Sequence, residues 1–173
     1  MEYFFRCDSP LGGITLFSDG EALTGLFFDD EAGVQKRREA AAHEKLPVFT
    51  KPADWLDVYF RGEEPPFTPR LALSGTPFQT AVWEILKNIP YGRTATYRDV
   101  AEAAAKMLSK PRMSAQAAGG AVGRNPVSII VPCHRVVGTG GSLTGYAGGL
   151  WRKKRLLLLE GADMMRLYMP KTK

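Results

Sequence analysis

Along the first thirty residues, short apolar runs alternate with turn-forming residues. EYFFRC (2–7), GGITLFS (12–18) and ALTGLFF (22–28) are rich in β-formers and are separated by SPLG and DGEA, so the pattern predicts an antiparallel sheet. The pattern then changes period. EAGVQKRREAAAHEKL (31–46) predicts a charged helix, and DWLDVYFRG (54–62) a short amphipathic one. GEEPPFTP (62–69) reads as an extended, proline-rich linker, with a domain boundary near Leu73.

Beyond that boundary the helical period dominates. Thr76-Pro77 supplies an N-cap and first-turn pair for TPFQTAVWEILKNI, which ends before Pro90-Tyr91-Gly92. Thr96 caps YRDVAEAAAKML, and Ser114 caps AQAAGGAVG. VSIIVP (127–132) predicts a short buried strand, GTGGSLTGYAGG (138–149) a glycine-rich loop, and LWRKKRLLLLEG (150–161) a last amphipathic helix. The expected class is α+β: residues 1–73 form a small N-terminal α/β domain with an antiparallel sheet, and 74–173 a mostly helical domain.

Gly119 and Gly120 stand inside a predicted helix, where each costs about 1 kcal/mol against alanine. Either a tightly packed neighbouring helix or an approaching phosphate backbone would reward the missing side chains, and packing is the first expectation. Charge favours a nucleic-acid partner for this half. Residues 1–73 hold 8 Lys/Arg against 13 Asp/Glu, a net of −5, whereas residues 74–173 hold 15 against 5, a net of +10. With that charge, a helix pair whose second member is polar-capped and small-faced reads as a helix-turn-helix. A solvated basic face is the alternative.

No apolar run reaches membrane-spanning length, and MEYFFRCDSP shows no leader pattern, so a cytoplasmic protein that does not engage membranes is expected. The two cysteines, Cys7 and Cys133, are expected to be free thiols in a reducing compartment.

VPCHRVV (131–137) carries the chemistry. A cysteine is a nucleophile only as the thiolate and needs a base or a positive environment. His134 is adjacent, but neighbours on a strand point to opposite faces, so direct contact requires a bend, which Pro132 and Gly138 would permit; a bridging water is the other route. Arg135 adds positive charge, and Glu160 offers a carboxylate that would orient a histidine. A buried inert thiol, a cysteine hydrolase with a Cys–His–Glu triad, and a regulator using the helix-turn-helix alone remain open on these residues.

NPVSIIVPCHRVVG (125–138) resembles the active-site segment of the O6-alkylguanine-DNA alkyltransferases, and the likeness continues through PFQTAVWEILKNIPYGRTATY (77–97), SAQAAGGAVGRNP (114–126) and GYAGGLWRKKRLLLLEG (145–161). The resemblance implies a winged helix-turn-helix-like motif and irreversible transfer of an alkyl group from guanine O6, with O4 of thymine as a second position, to the protein's own cysteine. It implies double-stranded DNA as partner, an extruded base and no cofactor; a monomer without obligate protein partner is the default expectation. Cys133 would be the acceptor, His134 the base acting through water, Glu160 its orienting carboxylate, and Asn125 the brace of the turn. Tyr97 would rotate the 3′ phosphate and donate to guanine N3. The carbonyls of Cys133 and Val136 would read the N2 amine, the Ala147 amide beside Tyr146 would bond O6, and Ser128 would lie near the pocket. Ala115, Gly119, Gly120, Arg124 and Arg135 would meet DNA. Gln116 stands where well-studied members have an intercalating arginine, so flipping would be held less strongly. Some members bind zinc with two cysteines and two histidines; the first half has only Cys7 and His43, so no metal site is expected.

Overall fold

The computed structural model describes residues 1–170 and divides into two compact units, Met1–Ser74 with Pro126–Ser128, and Gly75–Asn125 with Ile129 onward.

In the first unit, strands β1 (Tyr3–Cys7), β2 (Ile14–Ser18) and β3 (Leu23–Phe28) pair antiparallel in sequence order. Every residue of β2 is buried, as befits the central strand of this meander. The predicted helix over 31–46 is a correction: α1 spans only Val34–Glu39, and the chain then becomes β4 (Ala42–His43), which pairs parallel with Tyr3 and Phe4 of β1. Only Val34 of α1 is buried, so little packing rewards a longer helix, whereas the sheet edge offers backbone partners. Helix α2 (Thr50–Phe60) starts four residues before the predicted segment and buries Trp55, Leu56 and Tyr59. The segment Pro126–Ser128 runs beside β3: the Leu26 amide donates to the Pro126 carbonyl, and the Ser128 amide to that of Leu26.

The second unit is built on local stop and start signals. Helix α3 (Pro77–Lys87) has a full capping box between Thr76 and Gln79, and α4 (Tyr97–Met107) has one between Thr96 and Asp99. Ser114 accepts from the Ala117 amide at the start of α5 (Ala115–Gly123). The three helices pack together through small residues, with Ala101 and Ala104 of α4 and Ala118 and Ala121 of α5 buried. The Trp83 indole of α3 donates to the Ala121 carbonyl at 2.9 Å. Two short strands, β5 (Ala95–Thr96) and β6 (Val136–Val137), pair parallel and set the start of α4 beside the end of the VPCHRVV segment. Helix α6 (Leu150–Leu159) closes the unit, and Val137, Leu143, Leu157 and Ala162 form a small core under it.

VSIIVP is not a strand. Val127 makes one bridge to Leu26, after which Ser128–Ile130 turns sharply, with Ile129 at φ 71°. A β-branched residue in the left-handed region costs about 1–3 kcal/mol and persists only where its surroundings enforce it.

Candidate active site

The turn at Ile129 leads into two tighter ones. Pro132, at φ −82° and ψ 67°, is the centre of an inverse γ-turn in which the Cys133 amide donates to the Val131 carbonyl at 2.8 Å. Asn125 Nδ2 donates to the same carbonyl at 2.7 Å, so one acceptor ties the end of α5 to the residue before the proline. Cys133–Arg135 is then a single 3₁₀ turn. The extended geometry considered for Cys133 and His134 is thus replaced by a bend. Cys133 is buried and free of any disulfide.

His134 is fully buried, and its Nε2 lies 2.6 Å from Glu160 Oε2. Glu160 is the C-cap of α6, and both of its oxygens accept bonds. Oε2 receives His134 Nε2 and Arg135 Nη2 (3.1 Å); Oε1 receives Arg135 Nε (2.8 Å) and the Gly92 amide (3.1 Å). Gly92 holds φ 76°, and a Cβ there would stand 2.9 Å from the Glu160 carbonyl oxygen, so glycine lets that amide reach the carboxylate. Burial alone would raise the Glu160 carboxyl, but the bonds and charges of His134 and Arg135 outweigh it and hold it well below the usual carboxylate range. Burial lowers His134; Glu160 opposes this, and the charges of Arg135 and Lys153 add to it. A carboxylate that keeps its charge accepts the Nε2 proton, which leaves Nδ1 as the basic nitrogen of the neutral ring.

A cleft of about 640 Å³ gathers residues from three separate segments: Tyr97 of α4, Ala115, Gln116, Gly119 and Gly123 of α5, and Thr144–Ala147 of the glycine-rich loop. Six of the positions singled out by sequence, Tyr97, Ala115, Gln116, Gly119, Tyr146 and Ala147, therefore share one wall. Cys133, Val136, Ser128, Gly120 and Arg124 do not line it. Val136 is buried in β6, Gly120 and Arg124 are exposed on α5 and at its C-cap, and Ser128 is buried beside β3 in the first unit.

Three sequence expectations change here. Arg135 is buried, and its guanidinium is committed to Glu160 and to the Ile89 carbonyl (2.7 Å), so it has no free fork for DNA. The glycines of α5 are not explained by a packed neighbour. A Cβ at Gly120 would meet nothing within 4 Å, and one at Gly119 would make ordinary contact with the Tyr97 ring at 3.6 Å. Gly120 faces open space, and Gly119 faces the Tyr97 ring. The third change is a residue that sequence reasoning missed. Lys153 of α6 is fully buried, and its ammonium donates to the Thr144 carbonyl at 2.6 Å and lies 3.5 Å from the Tyr97 hydroxyl. Burial pulls it down to about 8, against the opposing influence of Cys133. Its signal was faint: within LWRKKRLLLL, Lys153 falls one turn before the buried Leu157 and so on the apolar face.

Tyr97 donates to that same Thr144 carbonyl at 2.8 Å, and burial raises its phenol. Because Lys153 also serves this acceptor, the phenol can leave it without leaving that carbonyl unpaired. Among the described residues no cluster of three or more His, Cys, Asp or Glu is placed to hold a metal ion, and no helix is long and apolar enough to cross a membrane.

Comparison with known proteins converges on one family. Residues 77–162 match the family model of the 6-O-methylguanine DNA methyltransferase DNA-binding domain, and residues 3–73 that of its ribonuclease-like domain. A methylated-DNA–protein-cysteine methyltransferase of Methanosarcina acetivorans is 42% identical over 161 residues, covering 92% of this chain and 99% of its own. The crystal structure of the Mycobacterium tuberculosis O6-methylguanine methyltransferase is 41% identical with a TM-score of 0.81, covering 93% of each chain. The same mycobacterial protein solved in complex with DNA aligns at a TM-score of 0.80 and 40% identity, over 95% of this chain and 94% of that one. With both halves matched in order and nearly the full length aligned, this chain belongs to the methylated-DNA–protein-cysteine methyltransferase family.

Proposed function

We propose that this chain repairs double-stranded DNA by moving an alkyl group, typically methyl, from O6 of guanine, and in second place from O4 of thymine, onto Cys133. The observation that carries the reading is the buried Glu160–His134 pair on the turn that holds the cysteine. The thiol proton passes to His134 Nδ1, directly or through a water, while Glu160 stabilises the imidazolium that forms. A bond forms between Cys133 sulfur and the alkyl carbon, and the O6–carbon bond breaks with its electron pair moving into the guanine. Tyr97, released from Thr144, donates a proton to the departing base at N3, and the His134 imidazolium gives up its proton by way of solvent to restore the Tyr97 phenol. The net change is one proton transferred from thiol to guanine and one thioether formed. Nothing in the site is suited to hydrolysing a thioether, so each molecule reacts once.

The reactive atom of a paired guanine lies inside the base stack, so the nucleotide must be extruded. The cleft between α5 and the Thr144–Ala147 loop would receive it, with the Ala147 amide meeting O6 and the carbonyls of Cys133 and Val136 meeting N2. Asn125 would brace the turn. Exposed Ala115, Gly120 and Arg124 on the α5 side would meet the backbone and groove, and Gln116 would fill the vacated space. Residues 74–173, with a net charge of +10, would be the DNA-binding and acceptor half of a monomeric cytoplasmic protein. Contact with about four to six phosphates gives an affinity falling with salt at a log–log slope of about −4 to −5.

The test is incubation with a duplex containing O6-methylguanine, followed by intact mass and peptide mapping. One methyl per molecule, on the Cys133 peptide, is the expected result. Several turnovers per molecule would overturn it and favour a hydrolase.

A further inference from the structure

We propose that Arg135 is a positioning residue of the acceptor site: its guanidinium fork holds the Glu160 carboxylate square to His134 and thereby sets the histidine tautomer. This rests on Cys133 being the acceptor. Arg135 donates to both oxygens of Glu160, once to each, at 2.8 and 3.1 Å. Its remaining arm is fixed to the Ile89 carbonyl at 2.7 Å, and its guanidinium carbon stands 5.6 Å from the centre of the Tyr91 ring. The fork is therefore anchored from behind by the turn that follows α3, and it cannot follow the carboxylate if that rotates. A planar fork matches a carboxylate on both oxygens, which a point charge does not.

The consequence lies in who owns the proton between His134 and Glu160. With Arg135 in place, the carboxylate stays charged, the proton stays on Nε2, and Nδ1 is left as the basic nitrogen that takes the thiol proton. Without Arg135, Glu160 loses a charge-assisted bond on each of its oxygens in a buried site. A proton taken up by the carboxylate would then be donated to Nε2, forcing the ring hydrogen onto Nδ1, the wrong nitrogen for a base. Other charged groups stand near Glu160. Arg93, Asp163 and Arg166 line a polar cleft on its outer side together with Tyr91, and Arg166 is paired with Asp163 at 3.4 Å. Lys153, whose charge acts on His134, is engaged with Thr144.

Two measurements on the full chain test this without DNA. The protein has two histidines, so ring nitrogen NMR spectra resolve His134 from His43. The wild type should show the Nε2–H tautomer, and Arg135→Met a mixture shifted toward Nδ1–H. The pH profile of Cys133 labelling by iodoacetamide, read by peptide mass, should move its acid limb upward by about 1–2 pH units in Arg135→Met, because a carboxylate that has lost its paired cation protonates at higher pH. Arg135→Lys keeps the charge but not the fork; it should recover part of the shift and covers the case in which the methionine variant fails to fold. Unchanged tautomer and acid limb, with a rate lowered equally at every pH, would overturn the proposal. A wild type that shows both signatures yet takes no methyl from duplex DNA would sink the repair reading separately.

Discussion

The end of β1 and the turn at 133–135 each hold one cysteine, and their surroundings are opposite in character. Cys7 is half-buried among carboxylates: burial pushes its thiol up to about 11, and Asp57, Asp8 and Asp29 add to the effect. Cys133 sits on a bent backbone beside a histidine whose far nitrogen is already engaged, within electrostatic reach of the buried Lys153 ammonium. Both thiols are partly or wholly hidden, so burial does not separate them. What separates them is the charge and proton-accepting power of the neighbours, and these come from α6 and the α3–α4 connection, far away in sequence.

The largest expected effect breaks the comparison outright. Cys133→Ala should abolish methyl uptake from duplex DNA, while Cys7→Ala should leave it within about twofold, as measured by single-turnover transfer. Thiol labelling sharpens the same contrast. At pH 7 a thiol near 11 is ionised to about one part in 10⁴, so Cys7 should react far more slowly than Cys133 with iodoacetamide. Comparable labelling of both would remove the claimed difference in environment.

Delivery of the base to the second region is a smaller term. Gln116 is exposed on α5 and lines the cleft. Its replacement by alanine should slow repair of duplex about three- to tenfold, yet spare reaction with a free O6-alkylguanine base, which needs no extrusion. Gln116→Arg should speed the duplex reaction or tighten binding, since a guanidinium stacks on bases and is drawn to the phosphates. Equal losses on both substrates in the alanine variant would assign Gln116 to the fold.

The smallest effect is a stability signature of opposite sign in the two regions. Cys7 has a raised folded-state value, so its contribution is present below about 9 and is lost as pH climbs toward 11. Lys153 is depressed to about 8, so its buried charge is a burden below that pH, relieved as pH rises from 8 toward its ordinary value of about 10.4. Denaturant unfolding against pH should therefore steepen downward in Lys153→Met and flatten in Cys7→Ala relative to wild type.

Much of this was legible locally. The capping residues Thr76, Thr96 and Ser114 and the turn signals between β1, β2 and β3 act within four residues, and each produced the expected element. The acceptor motif was legible as chemistry. What was not legible depends on distant partners. Ala42–His43 reads as helix until β1 offers an edge, and VSIIVP reads as strand until Asn125 and Leu26 pull its two ends into a turn. Arg135 and Lys153 carry charges that composition assigns to the surface, and only the third dimension gives one a carboxylate and the other a carbonyl.

Helix α5 is weaker than its surroundings require. Gly120 and Gly123 face open space, so the fold would accept alanine at either, and at Gly120 the exchange should stabilise the protein by about 1 kcal/mol in thermal or denaturant unfolding. A chain shaped for endurance alone would have taken that gain. Keeping two bare positions on the outer surface of this helix marks it as a contact surface whose shape outranks its own strength, and a screen for heat-resistant variants should repeatedly choose alanine there and repeatedly lose repair.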